Sequence, residues 1–159
     1  MDFDTRTKLL GEVLGNFQSL EFLLRLFLGK EEFFRLPLRR VKPGDTLPEC
    51  AFTDWDSLGQ LIARVNSQFL KLGLPQRIDP SLVKVRDALA HGRVFMPADE
   101  DVVLLFKFGR PRKGRVTVET KYVLTEDMMG GFRGRVSDAI EMVGAALDGN
   151  PWHPDLSAR

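Results

Sequence analysis

Three residues within one short stretch carry side chains suited to acid–base chemistry on a phosphodiester: Arg86, Asp87 and His91. Histidine as a residue type ionises near pH 6.5, so one ring can take up a proton and later return it. Arginine keeps its charge at any working pH and grips phosphate oxygens through a planar fork of donors. The surrounding residues 82–93 have the apolar spacing of an amphipathic helix that Gly92 ends. A helix advances about 100° per residue, so Arg86 and His91 stand about 140° apart. Asp87, four residues before His91, shares its face and can hydrogen-bond the ring and orient it. A plainer reading makes His91 a cation at a helix C-terminus and Arg86 a surface charge.

No other motif competes for the chemistry. His91, His153 and Cys50 offer no zinc-ligand spacing. The phosphate-loop pattern is missing, because the hairpin tip that comes nearest, Gly109 to Gly114, continues into Arg115. A Gly-x-Ser-x-Gly nucleophile turn is absent as well. Gly131-Phe132-Arg133-Gly134 matches a GxxG phosphate clamp in form, but it falls inside a helical period, where packing explains the glycines better. No cofactor and no metal site are expected.

The elements that must position these residues follow from periodicity. A chain of 159 residues suits one domain, 1–159, with a core that needs no metal or disulfide. Residues 6–28 repeat apolar side chains at helical spacing. Phe22, Leu23 and Leu26 widen that stripe enough for a central helix or one shared with a second subunit. Residues 29–53 are broken by Gly29, Pro37, Pro43, Gly44 and Pro48, and Arg35, Arg39, Arg40 and Lys42 there form either a phosphate-facing loop or a solvated one. Thr53-Asp54-Trp55-Asp56 reads as a capping box opening a helix with Trp55, Leu58, Leu61, Val65 and Phe69 on one face and Gly73 as its stop. Asp79-Pro80 reads as the start of the helix that carries Arg86 and His91.

After Gly92 the period changes to that of strands. Residues 102–108 are nearly all apolar, and residues 115–124 alternate, with Val116, Val118, Thr120, Tyr122 and Leu124 expected on a buried face. Between them lies a basic tip holding Arg110, Arg112 and Lys113, which together with Arg93 are the candidate substrate-binding residues. Thr125 caps a last helix, and residues 150–159 form a short tail whose Trp152 is a candidate to dock on the helices. The expected fold class is mainly α: an antiparallel helical bundle of about four helices with an inserted β-hairpin at about 102–124.

Composition narrows the setting. Lys plus Arg number 23 against 22 Asp plus Glu, so any nucleic-acid contact must come from a local patch. Cys50 is alone, the first residues lack a leader pattern, and no apolar run approaches the roughly 18 residues of a membrane span. A cytoplasmic protein with no membrane contact is expected.

Arg86-Asp87-Ala88-Leu89-Ala90-His91-Gly92 resembles the signature of the HEPN superfamily: an arginine, a polar residue, three further positions, a histidine, then often glycine. The motif covers about seven residues, and the hairpin after it is not part of the core pattern. The resemblance implies a homodimer in which two such motifs face one another across a cleft. It also implies a metal-independent endoribonuclease of the kind found in toxin–antitoxin and phage-defence systems, with RNA as substrate and an antitoxin or regulatory protein as a further partner. His91 would then assist attack of a ribose 2′-hydroxyl on the adjacent phosphate, Arg86 would stabilise the transition state and Asp87 would orient the site. Other members of the superfamily are inactive modules that bind a partner protein or nucleotide, and the near-neutral charge suits that alternative.

Overall fold

The computed structural model describes residues 2–149, and the expected tail with Trp152 lies outside them. The chain is mainly α. Among the described residues are five helices: α1 (Phe3–Leu28), α2 (Lys30–Arg35), α3 (Leu58–Lys71), α4 (Leu82–His91) and α5 (Glu126–Gly149). Three antiparallel strands, β1 (Arg93–Phe95), β2 (Val103–Phe108) and β3 (Val118–Leu124), form one sheet in the order β1-β2-β3. The chain divides into two compact units, one made of the residues up to Gln18 with Ser81–Asp138, the other of Ser19–Pro80 with the segment from Ala139.

The first unit holds the sheet and α4. Ala88 of α4, Val103 and Leu105 of β2, Leu124 of β3 and Met129 of α5 form a buried cluster, with Leu9, Leu89, Met96, Tyr122 and Phe132 packed at its edge. Each of the larger side chains, Val103, Leu105, Leu124 and Met129, contributes about 1.5–3 kcal/mol when withdrawn from water, which sets the inner face of the sheet. Arg6 is buried on α1 and donates to the carbonyls of Pro97, Glu100 and Val102 at 3.0, 2.8 and 3.2 Å, tying the β1–β2 connection down. Thr125 caps α5 as expected, its hydroxyl accepting from the Met128 amide at 3.2 Å. The Gly131–Gly134 segment does lie inside that helix.

In the second unit, α3 buries Leu58, Leu61, Ile62, Val65 and Phe69. It ends as expected at Gly73, whose φ of +72° is left-handed. The Gly73 amide donates to Leu70 and the Leu74 amide to Phe69, which together form a Schellman stop. Its start differs from expectation. The capping box is Ser57 with Gln60, and Trp55 is 99% exposed instead of lying on the core face. The reason is that the segment before it is occupied elsewhere. Thr53 Oγ accepts from the Cys50 amide and donates to the Pro48 carbonyl, while Asp54 faces Arg25 and Arg64. In the broad stripe on α1, Phe22 packs edge-on against Phe33 and Phe52 yet stays 41% exposed.

Two further departures lie in the first unit. Helix α4 begins at Leu82 with Ser81 as its N-cap, two residues later than Asp79-Pro80 suggests. In β3 the alternation slips. Lys107 pairs with Thr120 but Phe108 with Val118, a bulge that turns Val118 onto the opposite face from Tyr122 and Leu124. Val116 and Val118 are accordingly half exposed, not buried.

Candidate functional site

Helix α4 buries Leu82, Val85 and Ala88. At about 100° per residue, Asp87 and His91 then project from the opposite side, with Arg86 on the flank. The burial matches: His91 is exposed, and the side chains of Arg86 and Asp87 retain 29% and 38% of their surface. The Arg86 guanidinium stands 3.5 Å from the Asp87 carboxylate, while among the described residues no hydrogen bond joins Asp87 to His91. The structure therefore brings Arg86 and Asp87 together and leaves the imidazole open to whatever reaches the helix end.

Gly92 ends α4 for a reason that spacing alone does not reveal. Its φ of −81° is one any residue adopts, so no left-handed turn is at issue. The constraint is close approach. A β-carbon at this position would lie 2.2 Å from the Ala88 carbonyl oxygen and 2.8 Å from both Leu105 Cδ1 and the Phe106 carbonyl oxygen. Only a glycine lets the chain pass directly from His91 into β1 at the surface of β2.

β1 opens with Arg93, two residues after His91, in register with Phe106. On the outward face of the sheet the Arg93 guanidinium lies over the Phe108 ring at 5.6 Å, and the Lys121 ammonium over the Phe106 ring at 5.7 Å. The two rings are nearly parallel, with centroids 6.0 Å apart. At the far end of β2 the chain narrows to a tight turn, Arg112 and Arg115 bonding each other's backbone across Lys113 and Gly114, both at positive φ. Arg110, Arg112 and Lys113 are exposed there.

Of the residues expected to act, Arg86, Asp87, His91 and Arg93 fall within one α4–β1 junction. Arg110, Arg112 and Lys113 sit on a separate arm. Phe106 and Phe108 are not among the expected residues, because a nearly continuous apolar run conceals the fact that its second set, Leu104, Phe106 and Phe108, faces outward. The period-2 rule applied within that run is the signal that would have found them. Alternation does put Lys121 on the outward face of β3, but nothing local shows that it lies over the Phe106 ring.

A second feature lies in the other unit, where Phe33, Phe34, Leu36, Pro37, Leu38, Arg39 and Arg40 line an open recess of about 590 Å³. Also in that unit, Asp54 bonds Arg25 at 2.5 Å and Arg64 at 3.0 Å, and Arg64 bonds Asp56 as well. Burial pushes the Asp54 carboxyl up. The hydrogen bonds from Arg25, the Asp56 amide and Arg64 outweigh that and hold it below its ordinary value. Among the described residues, no three His, Cys, Asp or Glu side chains gather as a metal site, and no helix is long and apolar enough to cross a membrane.

Comparison with protein-family models, with curated proteins and with solved structures gives no match to this chain.

Proposed function

We propose that the chain is a HEPN-like endoribonuclease that cleaves RNA without a metal ion, built as a helical bundle bearing an inserted hairpin and acting as a cytoplasmic homodimer. The observation that carries this reading is the exposed imidazole of His91 at the end of α4, on the same outward side as Asp87, with Arg86 3.5 Å from that carboxylate. The chemistry is a transesterification. His91 takes the proton of a ribose 2′-hydroxyl, whose oxygen forms a new bond to the adjacent phosphorus. The bond from phosphorus to the 5′-oxygen breaks, and that oxygen receives a proton from a second imidazole contributed by another copy. The products are a 2′,3′-cyclic phosphate and a 5′-hydroxyl, with no oxidant, reductant or co-reactant needed. Arg86 stabilises the charge on the phosphate oxygens. An antitoxin or regulatory protein is the partner such an activity would call for.

The experiment is cleavage of RNA by the full chain in the presence of chelator. His91→Ala is expected to abolish it while leaving the circular dichroism spectrum and melting temperature unchanged, because the side chain is exposed. Cleavage that survives this substitution, or a wild-type chain that cleaves nothing, would overturn the proposal. One observation favours a second reading, a non-catalytic dimeric module: Asp87 is engaged by Arg86 and not by the histidine it would have to orient. Both readings require a second copy, so a chain that sediments as a monomer at micromolar concentration counts against both.

A further inference from the structure

The geometry points to the outward face of the three-stranded sheet as a platform for single-stranded RNA, with bases stacking on Phe106 and Phe108 and phosphates held by Arg93 and Lys121. This rests on the endoribonuclease reading for the identity of the ligand, but its residues are separate from the acid–base group.

The inference starts from alternation. Val103 and Leu105 of β2 point into the core, so Leu104, Phe106 and Phe108 point out. Register then builds cross-strand rows on that outer face. Phe95, Leu104 and Val123 form one row, Arg93, Phe106 and Lys121 the next, and Phe108 with Val118 the last. An antiparallel sheet with one face in the core ordinarily carries polar side chains on the other. Here that face holds three phenylalanines: Phe95 is 58% exposed, while Phe106 and Phe108 are part-buried beneath the two cations, and Val118 and Val123 beside them are 51% and 43% exposed. A contiguous exposed apolar patch on a rigid element marks a binding surface.

Charge decides the occupant. The aromatic rows are interleaved with cations that lie over rings at 5.6 and 5.7 Å. A protein partner or a second copy meeting an apolar sheet would have to desolvate both charges. A nucleotide satisfies both halves at once, its base stacking on the ring and its phosphate meeting the cation. Bases are free to stack in this way only when the strand is single. Glu119, beside Thr120 and Lys121 on β3, is engaged by Lys107 at 3.8 Å.

The sheet is also polarised along its strands. Asp99, Glu100 and Asp101 occupy the β1–β2 connection at one end, whereas Arg110, Arg112 and Lys113 extend from the other. His91 leads into the start of β1, which is the Phe106 end and therefore the basic one. A strand lying along the ring rows with its phosphates drawn toward the basic end passes the junction that presents the imidazole.

The test uses the full chain carrying His91→Ala, which keeps the RNA intact, and a dye-labelled single-stranded oligoadenylate of about a dozen nucleotides, a length within the site sizes of such platforms. Fluorescence anisotropy is expected to show binding that weakens as salt rises. Phe106→Ala and Phe108→Ala should each weaken it by about 10-fold, whereas Phe106→Tyr, which keeps a stacking ring, should leave it within about 2-fold. An RNA duplex of the same length should bind less tightly than the single strand. Thermal melting confirms that each variant folds, and Phe106→Tyr guards against a loss caused by misfolding. The platform is overturned if the parent binds no oligoadenylate, if the folded alanine variants bind like the parent, or if Phe106→Ala changes only the oligomeric state. The endoribonuclease reading fails on different evidence, namely cleavage that does not depend on His91, so the two failures cannot be confused.

Discussion

Two sets of charged residues in this protein are arranged in opposite ways. Arg25, Asp54, Asp56 and Arg64 face one another. Arg25 also donates to the Ala51 and Asp56 carbonyls, at 2.9 and 2.8 Å. Its side chain and that of Asp54 keep only 15% and 17% of their surface. On the sheet, among the described residues, Arg93 and Lys121 meet aromatic rings, and both are exposed. The first arrangement satisfies its charges internally and fastens the residue 50–57 segment to α1 and α3. The second leaves its charges on a rigid strand with a weak partner that a ligand can replace. A charge is evidence of binding only when the structure has not already given it a full set of partners.

The most severe way to break the comparison acts on the joint that holds the second set in place. Gly92→Ala forces a β-carbon into the Ala88 and Phe106 carbonyls. It is expected to cost about 3 kcal/mol or more by chemical denaturation, as overpacking against backbone does. A loss below about 1 kcal/mol would mean that α4 and β2 are not held as closely as described.

A smaller effect is expected at the first set. Asp54→Asn removes the carboxylate that two guanidinium groups share and should cost about 2 kcal/mol near neutral pH. Because the Asp54 carboxyl is held below its ordinary value, its contribution is fully present above the unfolded-state value of about 3.9 and fades as pH falls through the lower folded one. Wild type and Asp54→Asn should therefore converge in stability as unfolding curves are taken below about pH 4. A constant gap down that range would remove the charge from the explanation.

The smallest effects separate neighbours. Ser57→Ala loses a cap and should cost about 1 kcal/mol, whereas Trp55→Ala should change stability by less than about 0.5 kcal/mol. A large loss at Trp55 would restore it to the core face that periodicity proposed.

What the sequence determined by itself were features closed by neighbours in the chain. Gly73 stops α3 and Thr125 caps α5, because each depends on backbone groups a few residues away. Spacing also marks Gly92 as the end of α4, but the need for glycine there comes from β2, 13 and 14 residues on. The α4 stretch with Arg86, Asp87 and His91 was visible for the same reason, since helical spacing alone places Asp87 and His91 on one face. Tertiary structure decided where the charges and rings go. Arg25 finds Asp54 29 residues later, and Arg6 finds its carbonyls more than 90 residues later, so no local pattern announces either. A single bulge puts Val118 beside Phe108 on the outer face, and the register of three strands sets Arg93 and Lys121 beside Phe106. Strand pairing joins residues by register rather than by distance along the chain, and a slip of one residue reverses which side chains meet.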